Sequence, residues 1–226
     1  DTTTKNAQFL LFLTAVIKAV DENQDLLRIS VASAGNDHRL GANEAPPAII
    51  SMYLGDELQA VLESIKNGTA YDSKRKQKMK IGVDVLPFIP KDSTDRNRTS
   101  PFAFTGNKFE FRSLGSSLSI SGPNTTLNAI VANTLKQFAD ELEKAKDFEN
   151  SLHKLIRREI TEHWKIIFNG NGYDASWVEE AQQRGLLNLK TLPDAMAEYL
   201  NPKNIKLFTD MGVYTQIEME SHYDIK

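Results

Sequence analysis

Two short stretches of this chain gather the side chains that could do chemistry. The first runs from Asn36 to Pro47, NDHRLGANEAPP. Its Arg39 carries a planar guanidinium suited to gripping a carboxylate through two parallel hydrogen bonds. Glu44 follows five residues later, with Pro46 and Pro47 stiffening the backbone behind it. Polar loops held by rigid elements are where binding groups concentrate. The same segment reads equally as a capped turn with an exposed ion pair. The second stretch runs from Asp95 to Arg112. Strand alternation over Asn107–Arg112 puts Lys108, Glu110 and Arg112 on one face and Phe109 and Phe111 on the other. The aromatic side is the expected core side. Arg96 and Arg98 arrive one hairpin earlier, so positive charge gathers around a single carboxylate. Such a cluster suits a phosphate or carboxylate ligand together with a divalent metal. The plainer reading is a strand face kept polar for solubility.

Other motifs point to structure. The four histidines, His38, His153, His163 and His222, include no His-Glu-x-x-His and no pair at a metal-binding spacing. His153 and His163 fall among charges on a helical stretch and read as solvated or partner-facing. Phe168–Gly172 is glycine-rich but follows a helix rather than a strand, so it reads as a helix-ending loop. Lys74–Lys78 is a short basic run without aromatics and reads as a solvated linker.

Several elements must position these groups. Phe9–Val16 is apolar on almost every face, which predicts a core helix. Lys18 and Asp21 end the run well short of the roughly 20 residues needed to span a bilayer. No secretory-leader pattern precedes it, and the ends look like cuts within a longer chain. Two helical stretches are expected to flank a loop over Ala34–Pro47. Met79–Ser121 is β-rich, with Lys80–Leu86 alternating at period two. From Leu135 to Ile160 apolar residues recur at threes and fours, predicting a long amphipathic helix or helix pair packed on the sheet or on another subunit. A loop-rich helical tail follows, with Leu186, Leu187 and Leu189 as core anchors. The expected class is α+β, an antiparallel sheet segment flanked by helices with a long helical C-terminal part.

The 226 residues suffice for a sizeable core. The absence of cysteine excludes disulfides, thiolate metal sites and a cysteine nucleophile. A net charge of −3 argues against a general nucleic-acid binder.

The wording of the two chemical stretches resembles the glutamine synthetase family. The family's Lys-Arg-Leu…Gly-x-Glu-Ala-Pro segment is similar to His38–Pro46 here. Its Arg-Asn-Arg-Ser…Arg-Ile/Leu-Glu-x-Arg segment is similar to Arg96–Thr99 and Lys108–Arg112. RLGANEAPP with NRTSPFAFTGNKFEFR resembles the type III branch, the large bacterial form also seen in other microbes. Ala103 and Lys108 stand where the commoner form has arginines.

The resemblance implies an ATP-dependent ligase that joins ammonia to glutamate through a glutamyl phosphate. It uses Mg²⁺ or Mn²⁺, with ATP as co-substrate, and acts as a cytoplasmic homo-oligomer of hexameric rings (a dodecamer), without nucleic-acid or membrane partners. Arg39 would hold a glutamate carboxylate, and Glu44 would sit on a closing flap and help deprotonate ammonium. Arg98 and Arg112 would flank the transferring phosphoryl group, and Glu110 would ligate the metal. Residues 1–124 would be part of the catalytic domain, with 125–226 a helical region packed on it. The family's upstream histidine and glutamate ligands have no counterpart here, so this chain alone is expected to be inactive. The alternatives are a related glutamate–amine ligase and a non-catalytic fragment acting as an interaction module.

Overall fold

The apolar run near the start forms α1 (Ala7–Glu22), which buries Leu10, Leu13, Ile17 and Val20 at helical spacing. Thr14, also fully buried, donates its hydroxyl to the Leu10 carbonyl at 2.7 Å, so no polar atom is stranded there. The computed structural model describes residues 7–42, 45–69 and 100–225, together with the backbone of 78–79 and 89–90.

After a one-residue break at Asn23 come α2 (Gln24–Val31) and α3 (Ala34–Arg39). The expected loop over Ala34–Pro47 is therefore helical in its first half. The Ser33 hydroxyl accepts the Asn36 amide at 3.1 Å, an N-cap that starts the short helix. The loop proper begins at Leu40.

Next come β1 (Met52–Tyr53), α4 (Asp56–Asn67) and an antiparallel pair, β2 (Lys78–Met79) with β3 (Ile89–Pro90). The alternating run Lys80–Leu86 lies outside the described residues. The hairpin β4 (Phe102–Phe104) and β5 (Phe109–Phe111) turns through Gly106, whose φ of 94° favours glycine. β1 joins β4 in parallel, giving the order β1-β4-β5. The sheet is thus mixed rather than antiparallel throughout. The chain leaves β1 through α4 and a long connection, and such a crossover is what parallel pairing requires.

The helical stretch is a pair, α5 (Ser121–Leu142) and α6 (Phe148–Glu162), broken at 143–147 where the Asp147 carboxylate caps α6 by accepting the Asn150 amide at 3.1 Å. Arg158 bridges the two helices by donating to both oxygens of Glu141 at 2.8 and 2.9 Å. Of the two expected partners, the sheet and another subunit, the sheet is not the main one within this chain. α5 and α6 pack chiefly on α1, and α5 also packs on α2. A helix apolar on nearly every face needs cover on nearly every face, and the pair supplies much of it.

A 3₁₀ turn (Trp164–Ile166) leads to α7 (Ala175–Gln183), α8 (Leu192–Met196), α9 (Pro202–Asp210) and α10 (Gln216–Ile225). Phe168–Gly172 is a loop that anchors the sheet. The Phe168 amide donates to the Met52 carbonyl at 2.9 Å. Asn169 Oδ1 accepts the Leu54 and Gly55 amides at 2.9 and 3.2 Å. Of the three expected leucine anchors, Leu186 is buried and Leu189 half-buried, but Leu187 is exposed. The result is a mixed α/β chain, mostly helical, with a small three-stranded sheet. Among the described residues no helix is long and apolar enough to cross a membrane.

Candidate active site

The hairpin sorts its side chains by pleat. Phe102 faces Phe111 and Phe104 faces Phe109 across the two strands. The rings meet at 5.2–6.0 Å between centroids, and Phe104 reaches Phe9 of α1 at 5.8 Å. This aromatic face is anchored in the core, so the alternate positions must face away from it. On that opposite side Glu110 accepts from Arg112 Nε at 3.2 Å and pairs with Lys108 Nζ at 3.2 Å. These two cations, Lys108 foremost, hold the Glu110 carboxyl below its ordinary range. Glu110 is therefore a partly exposed carboxylate kept ionised by its neighbours, with a guanidinium fixed beside it. The cationic fork can grip a phosphate or a carboxylate, and the ionised oxygens beside it can serve as ligands to a divalent metal that the same anion shares.

A cavity of about 350 Å³ opens beside Arg112. Pro46 and Pro47 wall one side, Phe111 and Leu114 another, and Tyr173 contributes from the loop before α7. Residues 40–42 and 45–47 are drawn together by the Gly41 amide donating to the Pro46 carbonyl at 3.1 Å, with Gly41 at a φ of 70°. The structure brings Glu110 and Arg112 together. Arg39 is exposed at the C-terminal end of α3 and is not part of the cavity wall. Glu44, Arg96 and Arg98 lie outside the described residues.

The cavity also meets two side chains that the sequence did not single out, Arg28 and Asn36. Arg28 is 2% exposed and donates to Asn36 Oδ1 at 2.9 Å and to Asp37 Oδ1 at 2.5 Å. A charged residue on the buried face of an amphipathic helix, with an acid nine positions on, is the signal that could have marked them.

A second charged cluster joins α1 to α6. His163 is buried, which corrects its reading as solvated or partner-facing. His153 is exposed, as expected. His163 Nδ1 lies 2.7 Å from Asp21 Oδ2, and Nε2 lies 3.3 Å from Glu159 Oε2. Burial by itself would lower the imidazole pKa, but Asp21 and Glu159 outweigh it and push it up to about 9. Burial would raise Glu159, yet His163, Arg158 and Lys18 pull it down to about 2. Among the described residues Glu159, Glu162 and His163 form a cluster that could hold a metal, with candidate ligand atoms within 4.8 Å of one another. The surroundings argue against it. Lys18 and Arg158 already hold Glu159 at 3.0 and 2.6 Å, and a doubly protonated imidazole has no lone pair to give. The cluster is an ion-pair clamp between helices.

Comparison with known proteins finds relatives of the chain as a whole. Residues 151–226 match a family model described as the glutamine synthetase C-terminal domain. The chain is 49% identical over 227 residues to the type-3 glutamine synthetase of Dictyostelium discoideum, covering 99% of this chain and 31% of that protein. It is 48% identical over 232 residues to a glutamine synthetase of Butyrivibrio fibrisolvens, covering 98% and 32%. A glutamine synthetase of Bacteroides fragilis is 39% identical over 228 residues, covering 98% and 31%. The chain thus spans a little under a third of the length of the curated relatives it matches.

Proposed function

Because the chain belongs to the glutamine synthetase family, we propose that it is the C-terminal part of the catalytic domain of a type III enzyme, a ligase that makes glutamine from glutamate, ammonia and ATP. The observation that carries this reading is the Glu110–Arg112 contact, whose arginine lines the cavity walled by Pro46 and Pro47. Residues 1–124 then belong to the catalytic domain proper, and 125–226 form a helical region packed on it. The complete protein works in the cytoplasm as a ring-shaped homo-oligomer.

In the first step the γ-phosphoryl group passes from ATP to the side-chain carboxylate of glutamate, giving glutamyl phosphate and ADP. The protein's task is to position the two anions and neutralise their charge. Arg112, together with Arg98, clamps the phosphoryl oxygens, and Arg39 holds a glutamate carboxylate. In the second step ammonia attacks the acyl carbon, the bond to phosphate breaks and inorganic phosphate leaves. Glu44 accepts the proton that ammonium must lose, and the loop that carries it excludes water that would hydrolyse the acyl phosphate.

A divalent ion fits Glu110. Its carboxylate is ionised and partly exposed, and its partner Lys108 is exposed enough to swing aside. One carboxylate is a usual protein contribution to Mg²⁺, which keeps water and phosphate oxygens as its other ligands. When bound, Mg²⁺ or Mn²⁺ supplies neutralisation of the phosphate charge.

The test is glutamine formation by the full-length protein that contains this chain. Arg112→Lys keeps the charge and loses the fork, and should lower kcat by about 10²–10³, the scale for removing one charge-stabilising donor. Near-normal turnover would overturn the clamp role. Ammonium should be the preferred acceptor in the same assay. Preference for an alkylamine would replace this reading with that of a glutamate–amine ligase.

A further inference from the structure

Arg28 sits on the buried side of α2, where its side chain is 3% exposed. Every nitrogen of its guanidinium is used. Nε donates to the Leu189 carbonyl at 2.8 Å and Nη2 to the Lys190 carbonyl at 3.2 Å. Nη1 donates to Asn36 Oδ1 at 2.9 Å, and Nη2 also reaches Asp37 Oδ1 at 2.5 Å. The second oxygen of Asp37 accepts the Leu192 amide at 2.5 Å. Asn36 in turn donates its Nδ2 to the Leu114 carbonyl at 2.8 Å. Leu114 lies two residues beyond Arg112, and Asp37 two residues before Arg39. One unbroken set of bonds therefore runs from residues 189–192 to the strand exit behind Arg112 and to the helix that carries Arg39.

A buried ion pair is a poor way to gain stability, because apolar residues of similar size fill such a space at lower cost. What this one supplies is direction. The fork accepts only partners in its plane, so helix, strand exit and C-terminal segment share one geometry. We propose that Arg28, Asn36 and Asp37 form a positioning device through which residues 189–192 set Arg112 against the cavity. The proposal deepens the reading above, since it rests on Arg112 acting as the phosphoryl clamp.

Asn36→Asp isolates the device. It keeps an acceptor for Arg28 but replaces the donor to Leu114 with a repelling oxygen. In the full-length protein, kcat and kcat/KM for glutamine formation should fall together by about 10- to 100-fold, the scale of a small misplacement of a catalytic group. Hydrogen exchange over residues 109–116 should quicken while α6 is unchanged. A mere structural staple would lower the melting temperature and leave kcat per folded molecule and the local exchange as they were, and that result overturns the proposal. If Asn36→Asp does not fold, Asn36→Ala carries the same test. If the unaltered protein makes no glutamine, the functional reading fails, and the exchange result alone decides whether the coupling exists.

Discussion

The Asp21–His163–Glu159 clamp makes folding stability depend on pH in a defined direction. The His163 pKa rises from 6.5 to about 9 on folding. Its contribution is therefore complete below about pH 6.5 and lost as pH climbs through about 9. At ~1.4 kcal/mol per pH unit the full effect is about 3 kcal/mol. Glu159, held at about 2, contributes in the opposite sense, losing its share as pH falls from 4.5 toward 2. Between them the two groups favour the folded state most at about pH 4.5–6.5. The charges that face His163 are Asp21, Lys18 and Glu22 from α1 and Glu159 from α6; Arg158 acts through Glu159, and Lys165 from the turn after α6 acts through Asp21. Thermal unfolding can be followed by the fluorescence of the two tryptophans, one of which, Trp164, adjoins His163. Between pH 6 and pH 9.5 the midpoint should drop by about 6–12 °C for a chain of this size. Asp21→Asn should flatten that slope by removing the carboxylate that holds the second proton. Equal slopes in the two proteins, or a midpoint that rises with pH over this range, would refute the assignment of the proton to His163.

Three further outcomes follow from single contacts. Asn169→Ala strips the Leu54 and Gly55 amides of their acceptor and should destabilise the protein by about 1–3 kcal/mol in denaturant unfolding. Gly106→Ala forces a side chain onto a φ of 94° and should cost about 1 kcal/mol, with faster exchange confined to the β4–β5 hairpin. Glu141→Gln weakens only an exposed bridge to Arg158, so its effect should stay below about 1 kcal/mol and shrink further in high salt.

Local patterns in the sequence foretold local structure well. Period two over Asn107–Arg112 placed the phenylalanines on the core and the charges opposite, because a strand offers only two faces. The apolar run of α1 and the threes and fours of α5 and α6 were equally plain. The caps at Ser33 and Asp147 fix where α3 and α6 begin, boundaries that apolar spacing alone left open between one long helix and a pair. The larger misses were tertiary. His163 looked solvated because its helix neighbours are charged, yet its partner Asp21 lies 142 residues away. Arg28 reaches carbonyls 161 and 162 residues along the chain. No periodicity encodes pairs so far apart. The choice of α1 over the sheet as the floor for α5 and α6 was hidden for the same reason.

In the proposed function Glu110 and Arg112 act as one unit on the phosphoryl group. A double-mutant cycle on glutamine formation by the full-length protein, with Glu110→Gln, Arg112→Lys and both together, tests it most directly. Each single change should lower kcat/KM by about 10²-fold or more, and the double variant should be little worse than the poorer single one, since groups that act together lose their effect together. Losses that simply multiply, or variants that keep normal turnover, would show that the two side chains do not act together on the phosphoryl group.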